Sequence, residues 1–527
     1  MSDFFHRTIF LSTIFFLILV AVAAAPVAVF GQSEDLRAEV EQLKKIVMQQ
    51  QERINALEAE RKHSVDPPSS SPAPQPAAAP EQKNSVQATN QADQHSGSSD
   101  ERIRNLERQI KGIGPISFSG DIRLREEPIF GGPADESLQR ARTRLRVRFN
   151  AVADLGEQFR AGFSLAGGDS NDPISTNQTL TGFYTRKPVG IDLAFVEYKP
   201  KWLRPFSFTG GKFRYPWYNT ELTWDKDLNP EGAAQSFVFD LQTPVLKRIA
   251  LIGFELPLAE VAGTLAADKR IVQDITYGGQ LQTTWQVAPR MQLSAYSSFY
   301  DFRGADSIAL ASARAGSRNP QTPLVGLLPL GGNTPQNSMI ITTANNAVIV
   351  GANRIPTGTS TVTNAQFASR FGLFDNIARL DINTGQPTLP LTFIGDYVQN
   401  TEACANAAKL FPTPANTATL TFTTTSNAPC NPHARRAYWL EARLGRLQER
   451  GDWQAGYARI FIEREAVLGN FNYSELRQGS NVTQHRLDLF YQLRKSVQLG
   501  TTVLVGRPLA STEHYLTRIQ FDTVYIF

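Results

Sequence analysis

Charge, sulfur and long oily runs are all scarce in this sequence. Only 19% of its 527 residues are charged, with four methionines and two cysteines. Beyond Phe30 no stretch reaches 18 consecutive apolar residues, which excludes a bundle of membrane-spanning helices. The formal net charge is only +4, so no nucleic-acid partner is expected. Catalytic signatures are missing too. There is no G-x-S-x-G, no H-E-x-x-H and no phosphate-cradling GxxxxGK[ST]. His433, His485 and His514 stand apart, and Ser480 and Asp488 near His485 make a triad only on paper. An enzyme is therefore not expected, and neither is a cofactor. Chain-wide disorder is excluded as well, because 41% apolar residues suffice to bury a core. What is plentiful is glycine (37), phenylalanine (32) and proline (31).

The first 31 residues have the form of a secretory signal peptide. Arg7 precedes an apolar run from Thr8 to Phe30, with cleavage expected after Gly31. An uncleaved anchor is the rival reading. Residues 32–62 carry a heptad. Leu36, Leu43, Gln50 and Leu57 stand at d, and Val40, Val47, Ile54 and Arg61 at a, as in a coiled-coil stalk. Residues 63–100 read as a Pro/Ala/Ser linker, and 101–114 as a second short coil with Ile103, Leu106, Ile110 and Ile113. Export makes a disulfide the expected state of Cys404 and Cys430, which share a polar Thr/Asn/Ala/Pro-rich segment.

From Pro115 to Phe527 the hydrophobic period is two. Ile116, Phe118, Gly120, Ile122 and Leu124 alternate with Ser117, Ser119, Asp121, Arg123 and Arg125. Ala141, Thr143, Leu145, Val147 and Phe149 alternate with Arg140, Arg142, Arg144, Arg146 and Arg148. Each such strand has one apolar and one polar face. Some sixteen strands can be read. Their connections alternate between short ones, such as 153–157, 200–204, 288–289 and 448–450, and long ones, such as 168–187, 214–233, 303–372, 401–435 and 464–482. A sandwich has no reason for that asymmetry, whereas outer-membrane barrels put short turns on the periplasmic side and long loops outside. The fold class expected is all-β: a transmembrane antiparallel barrel over 115–527, preceded by the periplasmic coil. Hydrocarbon tolerates no open sheet edge, so the sheet must close. A sixteen-stranded barrel leaves a water-filled lumen. The last strand ends in Tyr525 and Phe527, which look like the terminal aromatic signal for barrel insertion.

These residues resemble the bacterial "putative porin" family, and more distantly the phosphate-selective porins. The likeness is carried by Ser119–Arg125, Arg144–Phe149, Gly210–Phe213, Trp224–Gly232 and Gly395–Asn400, and it spans Ile116 to Phe527. It implies passive diffusion of small solutes across the outer membrane of a diderm bacterium. Porins of this strand number form trimers, while the heptad core leans dimeric. The barrel contact is the larger, so a homotrimer is expected.

Selectivity would sit on the row Arg140, Arg142, Arg144, Arg146 and Arg148, with Arg123 and Arg125 beside it and Lys212 and Arg214 nearby. An arginine facing lipid costs about 2–4 kcal/mol at mid-depth, so the row should face the lumen and attract small anionic or polar solutes. The bland reading is a wall neutralised by Asp and Glu. The third long loop, Tyr215–Ala233, would fold inward as a constriction carrying Trp217, Trp224, Asp225, Asp227 and Glu231. Asp225, Asp227 and Asn229 fit the start of a calcium loop, but Pro230 and Ser236 replace its glycine and glutamate, so no metal is expected. Two other functions stay open. One is a structural tether in which the coil makes a periplasmic contact. The other is a receptor or barrel enzyme working through its long loops, of which 303–372 has no legible pattern.

Overall fold

The computed structural model describes residues 116–169, 172–180, 182–259, 274–316, 337–343, 347–352, 362–407, 421–424 and 430–527. The expected signal peptide, coils and linker lie outside the described residues. Alternation organises everything that follows. β1 (Ile116–Gly131), β2 (Arg140–Leu155), β3 (Phe159–Gly167), the two-residue β4 (Gln178–Thr179), β5 (Val189–Tyr198) and β6 (Phe206–Lys212) open the sheet. Next come β7 (Glu231–Asp240), β8 (Leu246–Ala259), β9 (Asp274–Ala288) and β10 (Met291–Arg303). A helix, α1 (Asp306–Gly316), and three short strands, β11 (Met339–Thr343), β12 (Ala347–Ala352) and β13 (Val362–Phe367), interrupt the meander. The sheet resumes with β14 (Phe371–Ile382) and β15 (Leu391–Asn400). After the short β16 (Thr421–Thr424) it ends with β17 (Arg436–Gly445), β18 (Trp453–Ile462), β19 (Val482–Arg494), β20 (Val497–Pro508) and β21 (Leu516–Ile526).

Sixteen long strands pair antiparallel with their neighbours, and β21 pairs back onto β1, so the sheet is a closed barrel. Closure is completed by the last residue: Phe527 and Gly120 exchange backbone N–H···O bonds of 3.1 and 2.8 Å. The Phe527 ring occupies the space a Cβ on Gly120 would need. Among the described residues no helix is long and apolar enough to cross a membrane, and here the strands do so.

One rim carries turns of a few residues (156–158, 199–205, 241–245, 289–290, 383–390, 446–452, 495–496). The opposite rim carries 168–188, 213–230, 260–273, 304–370, 401–435 and 463–481, with two shorter connections at 132–139 and 509–515. Outward side chains are apolar, with Ile122, Leu124, Val147, Phe149, Leu251, Leu440, Leu487 and Leu489 all exposed. Aromatic pairs mark both edges of this band. Phe159 and Tyr198 stack at 4.7 Å near the short-turn rim, and Tyr438 and Phe461 at 5.1 Å near the long-loop rim. The small sheet of β11, β12, β13 and β16 lies in the long connections, apart from the barrel sheet.

The interior departs from simple alternation. Opposite β1 and β2, the inward residues of β7–β18 include Ala234, Ile252, Phe254, Tyr300, Phe302, Leu373, Val398, Trp439 and Ile460, all buried. They form one hydrophobic cluster with the loop residues Trp217, Leu222, Trp224, Leu468 and Phe471 and with Ile308 and Ala309 of α1. Three connections have turned inward and packed there, so part of the barrel is filled like a soluble core.

Candidate functional site

The charged wall is built by β19–β21, β1 and β2. Cross-strand register sets Arg123 opposite Arg146, Arg125 opposite Arg144 and Arg125 opposite Asp522. Like charges facing across a sheet repel, so counter-charges must come from elsewhere. Two glutamates do most of this. Glu127, fully buried on β1, accepts from Arg142 and from Gln520 Nε2 (2.8 Å) and lies 3.6 Å from Arg518. Glu475 arrives on the 463–481 loop. It meets Arg125 at 2.9 Å, Arg518 at 2.5 Å and Arg144 at 3.9 Å. Burial alone would raise the Glu475 carboxyl, but Arg125, Arg518 and Arg144 hold it well below the usual carboxylate range.

A second group lies beside it. Arg146 and Arg148 both bond Asp121 (2.7 and 2.8 Å), and Arg148 also reaches Asp227 at 3.3 Å. Asp227 is buried, which opposes ionisation, yet Arg148 and Arg146 keep its pKa at about 2. Arg123 donates to Asn177 at 2.5 Å, a residue of the 168–188 connection, while Ser175 of the same segment accepts from Arg144 at 3.3 Å. Three loops thus dock on one arginine strip. Around it the guanidinium groups of Arg123, Arg125, Arg142, Arg144, Arg146, Arg148 and Arg518 face the carboxylates of Asp121, Glu127, Asp227, Glu475 and Asp522. Positive charge is in excess.

The 213–230 loop crosses the lumen and is fastened to the opposite wall. Gln280 of β9 accepts from the Tyr218 amide (2.9 Å) and donates to its carbonyl (2.7 Å). Thr220 donates to Asp396 (2.5 Å) and Thr223 to Asp375 (3.2 Å). Trp217 stacks on Phe254 at 3.9 Å, and Phe254 fits there because its ring lies where Gly278 has no side chain. The two inward loops also bind each other. Asp225 N–H donates to the Phe471 carbonyl (2.7 Å), and Ser474 N–H donates to the Asp225 carboxyl (2.6 Å). Burial, with Glu221 and Asp227 nearby, pushes the Asp225 carboxyl well up.

Water-sized space remains on either side of this bridge. One cavity of about 390 Å³ is lined by Arg123, Arg146, Arg148, Asp121 and Asp227, among others. Another, of about 570 Å³, is lined by Arg214, Trp217, Glu221 and Arg443, among others. Asp121, Arg148, Asn150 and Lys226 line both and so stand where the two cavities adjoin.

A family model described as "putative porin" matches residues 128–527. The chain belongs to this porin family. It is an outer-membrane β-barrel channel. No curated protein matches its sequence. Among solved structures it is similar to Salmonella typhi OmpF in complex with daunomycin, at 7% identity and TM-score 0.42, covering 79% of this chain and 99% of that one. Pseudomonas putida OprB gives 10% and 0.41, covering 82% and 97%. The outer-membrane channel DcaP of Acinetobacter baumannii gives 11% and 0.37, covering 79% and 99%.

The expected residues of this porin separate into distinct roles. Arg123, Arg125, Arg146 and Arg148 line the lumen. Arg142 and Arg144 are sequestered around Glu127, and Arg140 is exposed at the mouth of β2. Much of the row is paired with carboxylates. Lys212 does not line the pore. It shares the outward row of Phe208 and Gly210 and pairs with Glu231 at 3.0 Å. Glu231 is not in the loop: it begins β7 and is exposed. Trp224 and Asp225 are buried in the packing between loops, leaving Trp217 and Asp227 nearer the opening. Asp225 spends its oxygens on the amides of Asp227 and Ser474, and no metal-holding cluster occurs among the described residues. Cys404 and Cys430 are bonded. The sequence reading missed Lys226, Glu475 and Arg518. The stretch Ala466–Leu468 with Phe471 and Tyr473, apolar within a loop, was the available signal for an inward fold.

Proposed function

We propose that this porin is a passive diffusion channel favouring small anionic and polar solutes. The observation that carries the reading is that Lys226 and Arg148 stand where the two cavities adjoin, with the arginine strip behind them. Lys226 is 57% exposed and lies 3.2 Å from Glu221 and 5.4 Å from the Tyr473 ring centre. A fixed excess of cations in a water-filled constriction raises the local concentration of anions. Guanidinium groups along the wall offer successive contacts to carboxylate or phosphate.

Single-channel recording in planar bilayers tests this. Ohmic steps and a reversal potential on the anion side under a salt gradient are expected, with the preference reduced in Lys226→Gln/Arg148→Gln. Closed current, or an unchanged reversal potential in the variant, would overturn it. The same reading takes the assembly to be a homotrimer, and the mass of the detergent-extracted particle tests that. Tyr525 and Phe527 are read as the insertion signal, to be checked by assembly of a variant with both replaced by Ala. The coil's periplasmic contact remains part of the proposal, tested by cross-linking from residues 32–62.

A further inference from the structure

On the outer wall, strands β17–β20 carry an unusual group near the long-loop rim. Along β18, Tyr457, Arg459 and Phe461 alternate with the buried inward residues Ala458, Ile460 and Ile462, so Arg459 faces the membrane. Register sets it directly opposite His485 of β19, while Arg507 of β20 stands opposite Thr483, two residues nearer the rim. Exposed Leu440 and Leu487 lie beside and below them on the same outward surface.

The hydrogen bonds fix which donors are free. Arg459 Nη1 lies 3.1 Å from His485 Nε2 and donates to the Gln484 carbonyl at 3.4 Å, and Tyr457 Oη lies 2.8 Å from His485 Nδ1. A guanidinium only donates, so Nε2 must accept, and the imidazole proton is on Nδ1, donating to Tyr457. That leaves the Tyr457 hydroxyl proton and most of the Arg459 N–H groups available. The Arg507 guanidinium sits 4.6 Å from the Tyr515 ring centre. Neither Arg459 nor Arg507 has a carboxylate partner among the described residues, whereas the lumen arginines are mostly paired. An unpaired guanidinium beside hydrocarbon is tolerated where its head reaches the interface and finds an anion there.

A second feature continues along the same strand. Four residues from His485, about 13 Å at the usual rise, Leu489 enters a groove of about 400 Å³ on the outer wall. Leu124, Tyr491, Leu499, Gly500 and Phe521 line it with Leu489, and Glu126, which accepts from Thr143 at 2.7 Å, stands at its edge two residues nearer the long-loop rim. Cationic donors at headgroup height and an apolar groove further into the bilayer match the two ends of one molecule.

We propose that Arg459, Tyr457 and Arg507, oriented in part by His485, bind the headgroup phosphate of an anionic lipid, whose acyl chain lies over Leu487 into the Leu489–Leu499–Phe521 groove. The leaflet is the one on the long-loop side. Guanidinium and hydroxyl donors spread over one outward patch select a phosphate over a neutral headgroup.

The test uses the full chain purified in detergent, incubated with bisphosphorylated lipid A or its phosphate-free counterpart and read by native mass spectrometry. Retention of the phosphorylated lipid should exceed that of the phosphate-free form, and should fall about tenfold in Arg459→Gln/Arg507→Gln. Leu489→Trp, which fills the groove and leaves the charges, should weaken both lipids alike. Equal retention of the two lipids, undiminished retention in the arginine variant, or displacement by inorganic phosphate alone would each overturn the proposal. Heat-modifiable gel mobility establishes that each variant is folded. If the double variant does not fold, Arg507→Gln alone, at the end of its strand, gives the same reading with a smaller drop.

Discussion

The two inner walls of the barrel solve opposite problems. The wall of β7–β18 is largely apolar, with Gln280, Asp375 and Asp396 as loop anchors, and is covered by loops, with Trp217, Trp224 and Phe471 packed against Phe254, Tyr300 and Phe302. The wall of β19–β2 is charged and stays beside the water, with its arginines held by carboxylates from β1, β21 and two loops. The first gains its stability by hiding surface. The second gains it by pairing charges, and pairing gives little net stability in exchange for a fixed arrangement. On the proposed reading, the greasy side positions the loop bridge and the charged side sets the channel's electrical character.

Removing Trp224 should break the first wall. Trp224→Ala is expected to cost about 4 kcal/mol, the range for a buried aromatic, and to loosen the bridge. Gel mobility after graded heating and a raised single-channel conductance would register it. A stability loss without any conductance change would mean that the loop does not set the bore.

The charged wall should be nearly as sensitive at one residue. Glu475→Gln leaves Arg125, Arg144 and Arg518 around a neutral amide, at a cost of about 3 kcal/mol. Anion preference in reversal-potential measurements should rise, because the strip then carries more uncompensated charge.

Acid sharpens the comparison. Asp227 has an ordinary pKa of 3.8 and is held at about 2 in the folded chain. Its depressed value means that the stabilisation is complete above the ordinary value and vanishes as pH falls through the folded one. The contribution is about 2 kcal/mol. Asp227→Asn should be less stable than the parent above pH 4 and indistinguishable from it below pH 2.

The smallest effect on stability is expected at Lys226, a half-exposed charge whose pair with Glu221 contributes about 1 kcal/mol or less. Lys226→Gln should leave heat mobility unchanged while moving the reversal potential toward zero. A cation-selective parent channel would remove the basis for assigning anion preference to this side.

The period-two pattern made the sixteen strands legible, because lipid on one side and lumen on the other impose alternation on every crossing. The arginine row was legible for the same reason. Its pairing was not: Glu475 lies more than three hundred residues from Arg125 and Arg144, and nothing local links them. The apolar inner wall was hidden too, since inward Ile252, Phe254 and Trp439 on already apolar strands look like general hydrophobicity. Lys212 could have been read correctly from its parity with Phe208 and Gly210. Helix α1 is short and alanine-rich, and its face makes sense only once Ile308 and Ala309 meet the cluster.

Glu475 touches β1, β2 and β21 at once, and those are the strands on either side of the join where the first meets the last. It works as a keystone does in an arch. Because the 463–481 loop carries it, the packing of that loop inside the barrel and the fastening of the seam meet at one residue. A cylinder whose loop stayed out would therefore lose its inner filling and the clasp on its join together.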